Sequence, residues 1–153
     1  MTAKENSFPF PSFRPIRAED ADAVIEFVGA VPEIHVSREN IVASMNDPDH
    51  LLLIATAGAK IVGYLSARFM PPESEIFDIA VRADDRRTGV GKGLIDAFMR
   101  EAASRGVDAF FLEVADDNTT AREFYGRCGF AEIAKRKDYY GAGKSAVVMK
   151  KRV

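Results

Sequence analysis

Cysteine, tryptophan and histidine are nearly absent from this 153-residue chain, which holds one cysteine, no tryptophan and two histidines. A single thiol, Cys128, excludes an intrachain disulfide and fits a reducing compartment, so a cytoplasmic protein is expected. His35 and His50 lack any metal-ligand spacing, so no metal is expected. No apolar run approaches the ~20 residues of a membrane span, and the N-terminus lacks the apolar core of a signal peptide, so no membrane partner is expected. The 21 basic and 23 acidic residues leave a net charge of −2, which gives no general attraction to nucleic acid. There is no internal repeat and no low-complexity tract. The remainder is ordinary for a globular protein, 47% apolar and 29% charged, and long enough for one domain with a real core.

Periodicity then divides the chain. Residues 1–11, with two prolines, read as a loose arm ahead of a single domain over 12–153. Phe13 to Arg17 is a short strand that Pro15 assigns to a sheet edge. Acids at Glu19, Asp20 and Asp22 suit the first turn of a helix whose Ala21, Val24, Ile25 and Val28 form an apolar stripe. After a loop at 30–36, Ser37 and the pattern Ile41, Val42, Met45 predict a short second helix. Leu51–Thr56 and Lys60–Phe69 make a hairpin about Ala57-Gly58-Ala59. Glu75–Val81 is a strand, 90–105 a helix stopped by Gly106, Ala109–Ala115 a strand, and Asn118–Arg127 a helix capped by Asp117-Asn118. Phe130–Lys135 and Ser145–Lys150 form a last strand pair. The fold class is α/β (α+β): a mixed, mostly antiparallel sheet of about seven strands with about four helices. Strands 75–81 and 109–115 should run parallel, because one crossover helix joins them.

The most informative tract is Arg86-Arg87-Thr88-Gly89-Val90-Gly91-Lys92-Gly93, where a strand gives way to a helix. Such a turn presents bare N–H groups at a helix N-terminus, which favours an anion. Three phosphate motifs compete. The nucleotide P-loop fails, because Lys92 is followed by Gly93 and the position five before Gly91 is Arg86. The dinucleotide fingerprint fails, because Leu94 takes the place of its third glycine. Arg/Gln-x-x-Gly-x-Gly/Ala is matched by Arg86, Gly89 and Gly91. By itself that six-residue pattern is weak, and an ordinary strand-to-helix turn with solvated arginines would produce it too.

Four further segments strengthen the third pattern. They are Ile79-Ala80-Val81 ahead of Arg86, Asn118-Thr119-Thr120-Ala121, Phe124-Tyr125, and Cys128-Gly129-Phe130. Together with the element order they resemble the GCN5-related N-acetyltransferases (GNAT) over about residues 13–150. Within that family, Leu112-Glu113-Val114 and Arg136-Lys137-Asp138-Tyr139-Tyr140 resemble bacterial enzymes that acetylate the N-terminal alanine of a ribosomal protein. Two positions depart from that subfamily. Lys144-Ser145 stands where an acid usually precedes the alanine of the last strand, and Asp78 stands where asparagine is common.

The resemblance implies an acetyl-CoA-dependent transfer to a primary amine, without metal, directly through a ternary complex. It implies that backbone from Arg86 through Arg87, Thr88, Gly89, Val90, Gly91 and Lys92 to Gly93 holds the cofactor pyrophosphate. It implies that Ile79, Ala80 and Val81 pair with the pantetheine arm like an added strand. Asn118 and Tyr125 would also meet the cofactor, with Tyr125 as the acid that protonates the departing sulfur. Glu113 is the favoured base, since a glutamate interrupts an apolar strand there. Glu75 is its rival, fourteen residues before Gly89, where histone-acetylating relatives place theirs. It is expected to share a strand face with Phe77, Ile79 and Val81. Tyr139 and Tyr140 would hold the acceptor, a protein N-terminus, with the 30–36 loop opposite. Cys128 reads as a packed thiol. A monomer or homodimer is compatible with all of this. A small-molecule amine acetyltransferase and a non-catalytic coenzyme A-binding module remain as alternatives.

Overall fold

The computed structural model describes residues 10–32 and 34–153; most of the expected N-terminal arm, residues 1–9, and Glu33 of the 30–36 loop lie outside the described residues. The strands are β1 (Ser12–Pro15), β2 (His50–Ala57), β3 (Lys60–Met70), β4 (Glu73–Val81), β5 (Ala109–Ala115), β6 (Ala131–Arg136) and β7 (Ala146–Arg152). The α-helices are α1 (Ala21–Gly29), α2 (Arg38–Met45), α3 (Val90–Ser104) and α4 (Thr119–Arg127). One seven-stranded sheet has the order β1-β2-β3-β4-β5-β7-β6. Every neighbouring pair is antiparallel except β4 and β5, which α3 connects in parallel as expected. β1 is an edge strand, which tolerates Pro15.

Each sheet face is covered by two helices. Val90, Leu94, Ile95 and Phe98 of α3 and Tyr125 of α4 bury themselves against Leu53, Leu65, Phe110, Leu112 and Met149. On the opposite face Val24 and Val28 of α1 and Ile41 of α2 pack on Leu52, Ile54, Tyr64 and Ala80. The 3.6-residue stripes and the period-2 strands thus meet as two cores with the sheet between them.

Local signals explain the element ends. Ser37 Oγ accepts the Asn40 N–H at 3.1 Å and starts α2. Gly106, at φ 76°, follows α3 and lets Val107 N donate back to Ala102 O at 3.1 Å. One acid does more than complement the dipole. Residues Ala18–Asp20 form a short 3-10 turn ahead of α1, and Asp20 caps it by accepting the Arg17 N–H at 2.8 Å while binding Arg14 at 2.6 and 2.9 Å. That pairing holds the Asp20 carboxyl down at about 2.

A bulge in β4 changes which residues share a face. Ser66 pairs with Asp78 but Ala67 pairs with Ile76, so Phe77 is an extra residue. Ile76 packs in the α3 core and so do Ile79 and Val81, although regular alternation would oppose them. Glu75 therefore does not share a face with Ile79 and Val81. It lies on the opposite face, with Phe77, Asp78 and Ala80. Sequence alternation misassigned it because alternation assumes an unbroken pleat.

Candidate active site

β4 and β5 pair only from Glu73/Ala109 to Ile76/Leu112. β5 continues on β7 as far as Ala115, while β4 follows β3 to Val81. From the bulge onward the two parallel strands part, and among the described residues the β5-facing edge of residues 77–81 has no strand partner. A split at the carboxyl end of parallel strands is a recurrent ligand position. The three sets of predicted residues lie around it.

The glycine turn lies at the end of β4. Gly89 adopts φ 91° and precedes α3, whose first residue is Val90. Val90, Gly91 and Lys92 thus supply the first-turn N–H groups that have no helical acceptor. Gly93 does not belong with them, because its N–H already donates to Gly89 O at 2.9 Å. Its missing Cβ has another use: a Cβ there would land on the Phe13 ring from β1. Gly91 likewise has the Phe124 ring where a Cβ would go, at 2.9 Å. Both glycines permit packing across the turn, a demand invisible before β1 and α4 are placed.

The flanking cations are partly committed. Lys92 Nζ pairs with Asp96 at 2.9 Å, and Arg86 Nε donates to Val81 O at 3.3 Å. Thr88 Oγ1 donates to the Asp85 carbonyl and closes the turn. Arg87 is exposed, at φ 64°.

On the far side of the split, α4 is fixed at its start by Asn118, whose Oδ1 accepts the Ala121 N–H at 3.1 Å. Arg122 ties the helix to the Asp116 carbonyl at 2.6 Å and to Glu132 at 2.7 Å. Tyr125 is 8% exposed, between Phe124 and Phe130. Burial, helped by the charge of Asp78, pushes its phenol well above the ordinary value, so it stays a proton donor at neutral pH. Its hydroxyl makes no hydrogen bond among the described residues, where no sealed side-chain polar atom lacks a partner, so the hydroxyl is not sealed from solvent. Cys128 is half-buried, and burial raises its thiol too, which keeps it from being a thiolate nucleophile.

The residues expected on the acceptor side gather on the other face. Glu113 and Glu75 line one cavity of about 200 Å³ with Met70, Phe111 and Val148. Burial first, and the Glu113 charge second, raise the Glu75 carboxyl, while Arg136 opposes them. Arg136 Nη1 binds Glu113 Oε1 at 2.6 Å, and its guanidinium lies 4.1 Å over the Tyr139 ring. Tyr139 and Tyr140 pack edge to face at 5.0 Å and are each about half exposed, 47% and 48%. Their loop is organised by Asp138, which sits at φ 55° and accepts the Gly143 N–H at 2.7 Å. Arg136 and Asp138 were not recognised from sequence as working residues. The signal needs the strand order β5-β7-β6, which carries Arg136 across β7 to Glu113.

This geometry defines a class: a helix N-terminus for a phosphate, a strand edge for an extended arm, a buried phenol proton donor on one side of the sheet and carboxylates on the other suit a coenzyme A-dependent acyltransferase. Comparison with known sequences agrees, and the chain belongs to the acetyltransferase (GNAT) family, whose model matches residues 10–130. It is therefore an N-acetyltransferase with acetyl-CoA as its acetyl donor. The [ribosomal protein bS18]-alanine N-acetyltransferase of Escherichia coli K12 is 31% identical over 102 residues, 67% of this chain and 69% of that protein. An N-alpha-acetyltransferase of Sulfurisphaera tokodaii is 25% identical over 150 residues, 89% of each chain. The crystal structure of the ribosomal-protein-S18-alanine N-acetyltransferase from Escherichia coli superposes with a TM-score of 0.83 at 23% identity, covering 94% of each chain. Among the described residues no helix is long and apolar enough to cross a membrane, and no cluster could hold a metal ion.

Proposed function

We propose that the acceptor is a protein N-terminal α-amine, acetylated in the cytoplasm by a monomeric or homodimeric single-domain enzyme. The exposed Tyr139–Tyr140 pair carries this reading, since Arg136 joins it directly to the Glu113 carboxylate. The names of the two relatives above support it. An α-amine suits such a site: with a pKa of about 8, roughly a tenth is neutral at pH 7, whereas lysine at about 10.4 is almost wholly charged.

Acetyl-CoA supplies the acetyl group as a reactive thioester. The unpaired β4 edge at Ile79–Val81 and the free N–H groups of Val90–Lys92 fit its extended arm and its pyrophosphate. Arg86 to Gly89 shape that turn. Asn118 caps the helix that presents Tyr125. Glu113 takes a proton from the amine through water, and the Tyr125 hydroxyl gives one to the departing sulfur. Glu75 is a second reading for the base, favoured by its raised carboxyl, since a base titrating nearer the working pH transfers protons more effectively.

A mass-spectrometric panel of peptides with varied first residues, beside polyamines and aminoglycosides, tests the acceptor. Acetylation of small amines alone overturns the peptide reading. Glu113→Gln and Glu75→Gln, followed by kcat/KM against pH, assign the base: the true base loses at least about a hundredfold together with the acid limb. Tyr125→Phe should lower kcat by a similar factor while coenzyme A still binds. Full kcat in Tyr125→Phe removes it as the acid.

A further inference from the structure

A second, larger cavity of about 400 Å³ lies between α2 and the sheet. Its walls include Ile41 of α2, His50 of β2, Tyr64 and Ser66 of β3, and Phe77 and Asp78 of β4. We propose that this cavity receives the amine-bearing end of the acceptor, with the Asp78 carboxylate as the counter-charge to its ammonium. The inference rests on the amine-acetylation reading and adds the recognition of charge to it.

The bulge is the first argument. Ile76 faces the α3 core, so regular alternation would send Asp78 into that core as well. The extra residue Phe77 turns Asp78 to the α2 side and into the cavity wall. Asp78 directly precedes Ile79–Val81, the edge at the split.

The second argument is the missing partner. Glu113 has Arg136 at 2.6 Å, Asp20 has Arg14 at 2.6 Å, and His50 Nε2 is 2.8 Å from Ser66 Oγ. Among the described residues Asp78 has no ion pair and no hydrogen-bond donor, although it is half-buried. Burial raises its carboxyl, and the charge of His35 opposes that. A carboxylate withdrawn from water without a partner costs free energy that an incoming cation would offset.

Position is the third. The charge of Asp78 acts on both Tyr64, in the wall of the same cavity, and Tyr125, the proposed acid. Phe77 and His50, 5.7 Å apart, give aromatic faces beside it that also suit a cation. Burial lowers the His50 pKa, so the imidazole is neutral at pH 7 and does not compete as a cation. The remaining charges on the wall are Asp47 and Arg68, which offset one another.

Calorimetry on the full chain saturated with desulfo-coenzyme A, which carries no acetyl group, tests the inference. The probes are an alanine-initiated tetrapeptide amide and its lactyl counterpart, in which a hydroxyl replaces the ammonium. At pH 6.5 the wild type should bind the amine form about tenfold or more tightly. The preference should fade as pH rises past the amine pKa of about 8. Asp78→Asn should bind both forms alike and unfold at an unchanged or higher temperature. No preference in the wild type, which needs no variant, overturns the inference, and so does a preference that survives in Asp78→Asn. Spermidine, titrated in parallel, separates the two readings. Peptide turnover without any charge preference removes the Asp78 subsite alone. Asp78-dependent binding of spermidine without peptide turnover removes the α-amine acceptor alone.

Discussion

Gly93→Ala should destabilise the protein although it places a better helix former inside α3. An exposed helical Gly→Ala change gains about 1 kcal/mol. Here the new Cβ would sit on the far end of the Phe13 ring, close to its Cζ and both Cε atoms. Phe13 is half-buried against the α3 core, so its ring must leave that contact. Overpacking of this kind costs about 1–3 kcal/mol, and losing part of a phenylalanine's burial accounts for a similar amount. The net expectation is a loss of about 1–2 kcal/mol, read as a lower urea midpoint at constant m. Phe13→Ala alone should cost about 2 kcal/mol. Added to Phe13→Ala, Gly93→Ala should become stabilising by up to about 1 kcal/mol, a coupling of about 2–3 kcal/mol. Coenzyme A affinity should stay within about threefold, because the Gly93 N–H is already bonded to Gly89 O. A stabilised single variant, additive energies or a tenfold loss of coenzyme A affinity would refute the reasoning and return Gly93 to the phosphate turn.

Two further expectations follow from buried or paired groups. The Asp20 carboxyl sits at about 2 against an ordinary 3.8, so its contribution is present above pH 4 and is lost as pH falls from about 4 to 2. Asp20→Asn should therefore lower stability at pH 7 by about 1–2 kcal/mol, with the gap to wild type closing toward pH 2 in acid-unfolding curves; a gap that stays constant with pH contradicts the pairing. Cys128→Ser should keep kcat within about threefold in steady-state assays, because a half-buried thiol with a raised pKa is no nucleophile; loss of turnover together with an acetylated thiol in the wild type would reinstate a covalent route.

The elements themselves were legible in the sequence because each depends on short-range physics. The stripe Val24, Ile25, Val28, the side chains of Ser37 and Asn118 at helix starts, and Gly106 at a helix end all act within a turn or two of their own position. The parallel pairing of β4 with β5 was legible too, since a single crossover helix leaves little alternative. Glu75 shows where local reasoning stops. Its face depends on one extra residue at Phe77, set by the register between β3 and β4.

By itself the sequence determined the family and the acetyl donor, because a contiguous turn and two nearby helical motifs carry that chemistry. Only the tertiary structure decided how the site is divided. Strand order brought Arg136 to Glu113, the bulge moved Asp78 and Glu75 to the face covered by α1 and α2, and packing gave Gly91 and Gly93 to Phe124 and Phe13. Those relations join residues remote in the chain, and nothing local in either partner encodes the other.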